Sequence, residues 1–179
     1  MATYNIHAGH NFKVPGASGM FSETEEDRKV KDAVISKLRQ LGHTVYDCTD
    51  NDGVTQSQNL ANIVRKCNSH SVDLDISIHF NASNGQGHGT EVLLFGNGRH
   101  RDIGQRIVNE ISALGFTNRG IKDGSNLYVV KYTNALAILI ECCFCDNVED
   151  AKLYNAESMA NAIVRGITGQ TAQSTQPTK

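Results

Sequence analysis

The sequence predicts a single α/β domain built on a twisted, mostly parallel sheet of about six strands, with helices on both faces. Three observations lead to this prediction. Short apolar runs alternate with longer stretches of helical periodicity, which is the pattern of an α/β fold. The length of 179 residues suits one well-buried domain. Apolar residues make up 39% of the chain and charged residues 20%, proportions that are ordinary for a folded protein.

The first half of the chain contains three predicted strands and two predicted helices. The short run at 3–7 indicates a strand, and a helix is expected over 22–41. Ser22 and Glu25 match the S-x-x-E capping box at the start of this helix, and Gly42 ends it. The elements that follow are a strand at 44–46, a helix over about 56–68 and a strand at 74–79.

The second half begins with a Gly-rich turn at 85–89, which precedes a strand at 91–95. A helix is expected over 100–114, because its apolar residues recur at spacings of four, four and three: Ile103, Ile107, Ile111 and Leu114. The remaining elements are strands at 127–130 and 135–140 and a last helix over about 149–168.

Residues after Gly169 differ in composition from the rest of the chain. The segment 170–179 reads Gln-Thr-Ala-Gln-Ser-Thr-Gln-Pro-Thr-Lys, a polar, low-complexity sequence that cannot bury a core. We therefore expect the folded domain to occupy residues 1–169 and residues 170–179 to form a linker.

Charge and hydropathy argue against several classes of function. The net charge is −2 and the pI is near 6.4, and without a cluster of Lys and Arg the chain is not expected to bind nucleic acid. No apolar run approaches the roughly 18 residues of a membrane span. The N-terminus lacks the basic and apolar regions of a secretory signal. We therefore expect a protein that is made in the cytoplasm without a signal peptide and has no membrane partner.

The five cysteines are expected to be reduced thiols in the core. Their number is odd, and three of them lie within or beside apolar runs, which is not the pattern of a disulfide framework. The run Cys142-Cys143-Phe144-Cys145 lacks the two-residue spacer that is typical of zinc-binding cysteine pairs. We interpret the cysteines as small packing residues.

Four ionisable residues lie where the predicted elements end or begin. His10 follows the first strand, His79 ends the third and Glu141 ends the last, whereas Glu23 begins the first helix. In open α/β sheets, ligands bind beyond the carboxyl ends of the strands. We therefore expect these side chains to form a site at that edge.

Helical geometry distinguishes Glu23 from its neighbours Glu25 and Glu26. At about 100° per residue, Glu23 shares the face of the apolar residues Val30, Val34, Leu38 and Leu41. Glu25 lies roughly 160° away and faces solvent, and Glu26 lies near the edge of the apolar face. Glu23 is therefore expected to point into the domain, where a buried carboxylate needs a partner such as a metal ion.

Two histidines and one carboxylate, with a position left for water, are a common ligand set of catalytic zinc. Glu141 lies outside this set and could take a proton from an attacking water. Structural explanations stay open on the residues alone. A histidine at a strand end often makes a structural hydrogen bond, Glu23 could interact with the helix dipole, and Glu141 could pair with a basic residue. His7 is a rival ligand.

Six short motifs are spread over almost the whole chain up to about residue 168. They are Ala-Gly-His-Asn at 8–11, Phe-Ser-Glu at 21–23 before a helix that ends Leu-Gly-His-Thr-Val, Ser-Ile-His-Phe-Asn-Ala at 77–82, Gly-Thr-Glu-Val at 89–92, Asn-Arg-Gly at 118–120 and Ile-Glu-Cys-Cys-Phe-Cys-Asp-Asn at 140–147. In this order the motifs resemble the zinc-dependent N-acetylmuramoyl-L-alanine amidases of the type-3 group, especially the catalytic domains of bacteriophage endolysins. The first loop departs from the family, because Asn-Phe-Lys-Val-Pro-Gly follows His10 where many relatives have Gly-Gly and an Asp-Pro-Gly turn.

The resemblance implies a role for each of the four residues. His10, Glu23 and His79 would bind one catalytic Zn2+, and Glu141 would be the catalytic glutamate. The substrate would be bacterial peptidoglycan, hydrolysed at the amide bond between N-acetylmuramic acid and L-alanine. We expect the catalytic domain to act as a monomer.

The resemblance to endolysins further implies a phage enzyme that lyses its host and acts on the cell wall after release from the bacterial cytoplasm. The linker at 170–179 would then lead to a C-terminal cell-wall-binding domain. The alternative enzymes are a host autolysin and a zinc peptidase or deacetylase that acts on the wall. A non-catalytic wall-binding module is disfavoured, because the chain has no Trp and 6% aromatic residues.

Overall fold

A six-stranded sheet forms the centre of the computed structural model, which describes residues 1–170. The strands are β1 (Thr3–Ala8), β2 (Thr44–Asp47), β3 (Leu74–Asn81), β4 (Thr90–Leu94), β5 (Asn118–Asp123) and β6 (Ala137–Phe144). The helices are α1 (Glu23–Gln40), α2 (Gln56–Asn68), α3 (Arg99–Ser112), α4 (Tyr128–Tyr132), α5 (Val148–Leu153) and α6 (Ala156–Thr168).

The sheet is mostly parallel, as predicted, with the spatial order β2-β1-β3-β6-β4-β5. The pairs β1–β2, β1–β3, β3–β6 and β4–β5 are parallel, and only the β4–β6 pair is antiparallel among the described strands. Because of this reversal, β4 and β5 begin at the edge where β1, β3 and β6 end. We call this the upper edge of the sheet.

Helices cover both faces of the sheet and bury two apolar cores. Ile138 and Ile140 of β6 belong to the larger core, in which α1, α3 and α6 supply most of the helical side chains. Leu139 between them points to the other face and joins a smaller core with residues of α2 and α4. This alternation follows from the period of two in a strand. The predicted two-sided α/β architecture is therefore confirmed.

Five strands and the first three helices lie within a few residues of the predicted positions, but the prediction of a strand at 127–130 is wrong. This segment lies at the start of α4, whose Val129 is buried while Tyr128 is exposed. The fifth strand is β5 instead, which the apolar pattern did not reveal. Its burial is low because it is an edge strand with mostly polar residues, and edge strands do not require an alternating apolar face.

The single helix predicted over 149–168 is in fact two helices. Tyr154 has an extended backbone between α5 and α6, and the Asn155 side chain accepts a hydrogen bond from Ser158 N at 2.9 Å to cap the start of α6. Asparagine is among the preferred N-caps, so the break has a sequence signal. At the start of α1, Ser22 occupies the predicted N-cap position, but its side chain makes no capping hydrogen bond.

Within residues 1–170, no helix is both long enough and apolar enough to cross a membrane. The last described helix ends at Thr168 and is followed by Gly169 with a φ of 70°, a conformation that glycine adopts readily. Apart from Gln170, the linker expected at 170–179 lies outside the described residues and stays a prediction.

Candidate functional site

The upper edge of the sheet brings together the four residues singled out from the sequence. His10 follows β1, His79 lies near the end of β3, and Glu141 lies directly opposite His79 on β6. Glu23 is the first residue of α1. These residues come from widely separated parts of the chain, so the sheet pairing and one helix start create their proximity.

His10, Glu23 and His79 form a cluster whose ligand atoms all lie within 4.8 Å of one another. His79 Nδ1 is 3.1 Å from Glu23 Oε1, and His10 Nε2 is 3.6 Å from Glu23 Oε2. Two ligands at about 2.1 Å from a tetrahedral zinc ion would be separated by roughly 3.4 Å. The donor types and these distances therefore fit a site for one zinc ion.

Glu23 is 3% exposed, while Glu25 is exposed to solvent, which confirms the orientation expected from the helical wheel. Its Oε1 accepts a hydrogen bond from Phe80 N at 3.0 Å, and its Oε2 accepts one from Ala17 N at 2.6 Å. Burial alone would raise the pKa of this carboxyl, but the hydrogen bond and charge of His79, with His10 and the Phe80 N–H, lower it. Glu23 is thus an ionised side chain held in a fixed position.

The two histidines differ in their electrostatic surroundings. Burial lowers the pKa of His10, and the nearby His79 lowers it further. Burial also opposes a charge on His79, but the hydrogen bond to Glu23 and the charge of Glu141 outweigh it and raise its pKa. A metal ion needs neutral imidazole, so a proton on His79 would compete with metal binding.

Two glycines allow the backbone to approach the cluster closely. A Cβ atom on Gly9 would lie 1.9 Å from His79 Cε1, and one on Gly16 would lie 2.2 Å from Glu23 Oε2. Real Cβ atoms do not tolerate such separations. The backbone at these glycines therefore forms part of the wall that holds the histidine and carboxylate side chains.

Glu141 is the acid that lies beside this cluster without belonging to it. Its Oε2 is buried and has no hydrogen-bond partner among the described residues. Burial raises the pKa of Glu141 to about 7, His79 opposes this shift, and the charges of Glu23 and Glu91 add to it. A carboxyl with a pKa near neutrality can accept and release a proton under ordinary conditions.

The structure adds two charged residues that the sequence reasoning did not place in the site. Glu91 of β4 lies directly opposite Glu141, and Arg119 of β5 donates from Nε to Glu91 Oε2 at 2.8 Å. Both lie at the starts of strands, whereas the predicted site residues lie at strand ends and at the start of the first helix. The motifs Gly-Thr-Glu-Val and Asn-Arg-Gly contain them and were the available signal.

Two carboxylates that follow β6 form hydrogen bonds with loops at the upper edge. Asp146 Oδ2 accepts hydrogen bonds from Ser83 N and Gly85 N at 2.9 and 3.0 Å. The buried Asp150 accepts from Gly89 N at 2.7 Å and from Phe144 N at 2.9 Å. These contacts fix the segment between β3 and β4 beside the end of β6.

The other histidines lie outside the cluster. His7, the rival ligand, is 1% exposed, and its Nδ1 is 3.4 Å from Ser77 Oγ, so its surroundings are structural. His43, His70 and His88 lie in turns or loops. His100 is buried in α3, with Nε2 2.8 Å from Phe95 O.

The five cysteines are buried and free, in agreement with their interpretation as packing residues. Four of them are fully buried, and Cys67 is 1% exposed. Cys142, Cys143 and Cys145 belong to the larger core, and Cys48 and Cys67 to the smaller one. Within the described residues, the only cluster with metal-binding geometry is that of His10, Glu23 and His79.

The chain is similar to known proteins over most of its length. A family model described as N-acetylmuramoyl-L-alanine amidase matches residues 5–170. The solved catalytic domain of the CD27L endolysin, which targets Clostridium difficile, is 30% identical with a TM-score of 0.88, covering 96% of this chain and 99% of that one.

Two further relatives are longer proteins. An uncharacterized protein of Clostridium perfringens is 37% identical over 154 residues, which are 83% of this chain and 45% of that protein. The N-acetylmuramoyl-L-alanine amidase LytC of Bacillus subtilis is 29% identical over 155 residues, which are 83% of this chain and 30% of that protein. The chain thus spans less than half the length of these two relatives.

Proposed function

The chain belongs to the N-acetylmuramoyl-L-alanine amidase family, and from this premise we propose that it hydrolyses the amide bond between N-acetylmuramic acid and L-alanine in bacterial peptidoglycan. The observation that carries the proposal is the cluster of His10, Glu23 and His79 with Glu141 directly opposite His79. A ligand set of two nitrogens and one oxygen next to an unpaired carboxyl is suited to metal-assisted amide hydrolysis.

Zinc is the metal we propose for this cluster. Imidazole nitrogen and carboxylate oxygen both suit zinc, and three protein ligands leave a position for water or substrate. When bound, the ion would polarise the amide carbonyl and lower the pKa of a water molecule. Glu23 contributes the negative charge that favours a cation, since its carboxyl is held ionised by its hydrogen bonds.

Glu141 would act as the proton carrier of the reaction. Its buried Oε2 has no competing partner among residues 1–170, so the carboxylate is free to accept the proton of an attacking water. The same carboxyl would then donate this proton to the departing amine of L-alanine. Its position on a central strand, rather than on a loop, keeps the distance between base and cluster constant.

The biological role we propose is that of an endolysin, which is made in the bacterial cytoplasm and acts on the wall after release. Similarity to the catalytic domain of an endolysin over 96% of this chain supports this role. The similarity to LytC supports a bacterial autolysin as the second candidate. The two roles share the same chemistry and differ in when and where the protein reaches the wall.

Digestion of purified peptidoglycan tests the reaction directly. We expect new L-alanine amino groups, whereas new amino-sugar amines would identify a deacetylase and new amines at other peptide positions a peptidase. Chelation should abolish the activity and zinc should restore it. An enzyme that stays fully active after complete removal of its metal would exclude the proposal.

A matched pair of variants tests the ligand assignment. Glu23→Gln removes the buried ligand charge, whereas Glu25→Gln changes an exposed acid of the same helical turn. We expect Glu23→Gln to lose zinc and activity and Glu25→Gln to keep both. Equal zinc contents in the two variants would contradict the role of Glu23.

A further inference from the structure

A row of four functional side chains crosses the upper edge of the sheet from β3 to the edge strand β5. His79 pairs with Glu141, and Glu141 pairs with Glu91. The β4–β5 register shifts after Thr90–Asn118, and Arg119 next to this shift reaches Glu91 with its Nε at 2.8 Å. Residues directly opposite in a sheet share a face, so the row runs from the metal cluster to an arginine.

Arg119 is held in a fixed orientation by three neighbours. Its Nε bonds to Glu91, which is itself 7% exposed and accepts from Asn81 Nδ2 at 3.1 Å. Its guanidinium carbon lies 5.0 Å from the centroid of the Phe144 ring, a cation–π contact. Its Nη1 makes a long contact of 3.4 Å with His88 O. The plane of the guanidinium is therefore fixed before any ligand arrives.

The terminal nitrogens of Arg119, which form its fork, are only partly used by the fold, through the long contact of Nη1 with His88 O. Glu91 receives only the Nε–H, and no hydrogen bond among residues 1–170 involves Nη2. The side chain remains 36% exposed. An arginine in a purely structural pair commonly engages its carboxylate with two parallel N–H groups, whereas Arg119 keeps both N–H groups of Nη2 and the second N–H of Nη1 for another partner. Such a fork matches the geometry of a carboxylate.

The direction of the row indicates which part of the substrate reaches Arg119. On the proposed function, Glu141 gives its proton to the departing amine, so the peptide lies on the Glu141 side of the cluster. β5 lies two strand spacings beyond β6, and the Arg119 side chain reaches back to Glu91 of β4, so its guanidinium lies roughly 5–10 Å beyond Glu141. An extended peptide advances about 3.3–3.6 Å per residue. The residue that follows L-alanine therefore falls within reach of the fork.

We propose that Arg119 is a specificity-determining residue that binds a free carboxylate on the stem-peptide residue directly after L-alanine. This inference rests on the proposed amidase function and extends it to the leaving group. Glu91 is the positioning residue that holds Arg119. The Glu91 charge repels a second anion, so a carboxylate bound at Arg119 must offset this repulsion with two hydrogen bonds to the terminal nitrogens.

Two synthetic muramoyl dipeptides provide the test, one with a free carboxylate on the residue after L-alanine and one with a carboxamide at that position. The zinc-loaded full chain should cleave the carboxylate form with a kcat/KM about 10- to 100-fold higher, mainly through KM, as for a hydrogen bond between charged groups. Arg119→Gln should remove this preference, and Arg119→Lys should restore part of it through its charge.

Arg99→Gln is the control, because Arg99 is an exposed arginine paired with Asp73, outside the row. We expect it to keep the wild-type preference. Equal kcat/KM values for both substrates in the wild type, or an equal loss on both in Arg119→Gln, would overturn the proposal and leave Arg119 as a structural partner of Glu91. If the zinc-loaded wild type cleaves neither substrate, the amidase function itself has failed.

Discussion

Glu141 and His79 lie directly opposite each other on the adjacent parallel strands β6 and β3. His79 is bound to Glu23 through Nδ1 at 3.1 Å, whereas Glu141 Oε2 has no partner within the described chain. Neighbouring strands are separated by about 4.8 Å, so the strand pairing fixes the distance between the proposed base and the proposed ligand. If these two groups lay on a loop, the distance between them would be less well fixed.

Glu141→Gln should separate catalysis from metal binding. The amide keeps the size of the side chain but cannot accept the proton, so we expect kcat to fall by about 10²- to 10⁴-fold. Zinc content should stay at the wild-type level, because Glu141 is not part of the ligand cluster. Release of L-alanine amines and metal analysis of the same sample measure the two effects. A variant with normal peptidoglycan hydrolysis would show that the base is another group.

The kcat/KM of the zinc-loaded enzyme should fall at acid pH because Glu141 becomes protonated. Burial raises the pKa of this carboxyl to about 7, and the active form is the carboxylate, so kcat/KM falls tenfold per unit as the pH drops below the pKa. A cation beside the carboxyl favours its charged form, and zinc therefore shifts this midpoint below 7. An acid limb with its midpoint above pH 7 would contradict the assignment.

Gly16→Ala should impair metal binding more than folding. The new Cβ would lie 2.2 Å from Glu23 Oε2 and 2.6 Å from His10 Cδ2, so both side chains must leave their positions. We expect at least a tenfold weaker zinc affinity, measured by competition with a chelator. Gly42→Ala is the control, since Gly42 has a φ of 86° and no neighbour within 4 Å. This change should cost about 1 kcal/mol of stability and leave zinc affinity unaltered.

The buried His7 should make the free energy of unfolding depend on pH. Burial lowers the pKa of His7 to about 3, while an unfolded histidine titrates near 6.5. The unfolded state therefore binds the extra proton between these values, and stability is lost as the pH falls from 6.5 towards 3. His7→Gln removes this contribution, on the order of 3 kcal/mol between pH 6.5 and pH 4.

Denaturant unfolding of both proteins at the two pH values isolates the effect of His7, because other buried groups titrate alike in each. The quantity to compare is the change in the free energy of unfolding between pH 6.5 and pH 4. If wild type and His7→Gln show the same change, His7 is not the neutral, buried group that its surroundings indicate.

Local sequence patterns were sufficient for the central strands and for the cluster. β6 is a continuous apolar run up to Glu141, and β1 and β3 are short runs in which apolar residues alternate with buried polar ones such as Asn5 and Asp75. His10, His79 and Glu141 are polar residues that end or follow such runs, and Glu23 was distinguished from Glu25 by helical geometry alone. Their ligand and base roles came from the family resemblance and stay predictions.

The failures have physical causes. β5 is an exposed edge strand that carries Arg119 and Gly120, so neither hydrophobicity nor periodicity marks it. The run at 127–130 has strand-like residues, but it packs against α2 as part of a short helix. The antiparallel placement of β4 depends on long-range pairing with β6. This reversal brings Glu91 and Arg119 to the upper edge. Local sequence patterns do not predict the direction of β4.

All five thiols are enclosed by the fold, and burial raises the pKa of Cys142 and Cys143, which follow Glu141 directly. Alkylating reagents require an accessible thiolate, so labelling should occur only when the structure opens. Cys142, Cys143 and Cys145 would report the opening of β6, and Cys48 and Cys67 the opening of the smaller core. The native cysteines can thus report local unfolding. Mass spectrometry can measure their alkylation without any engineered cysteine.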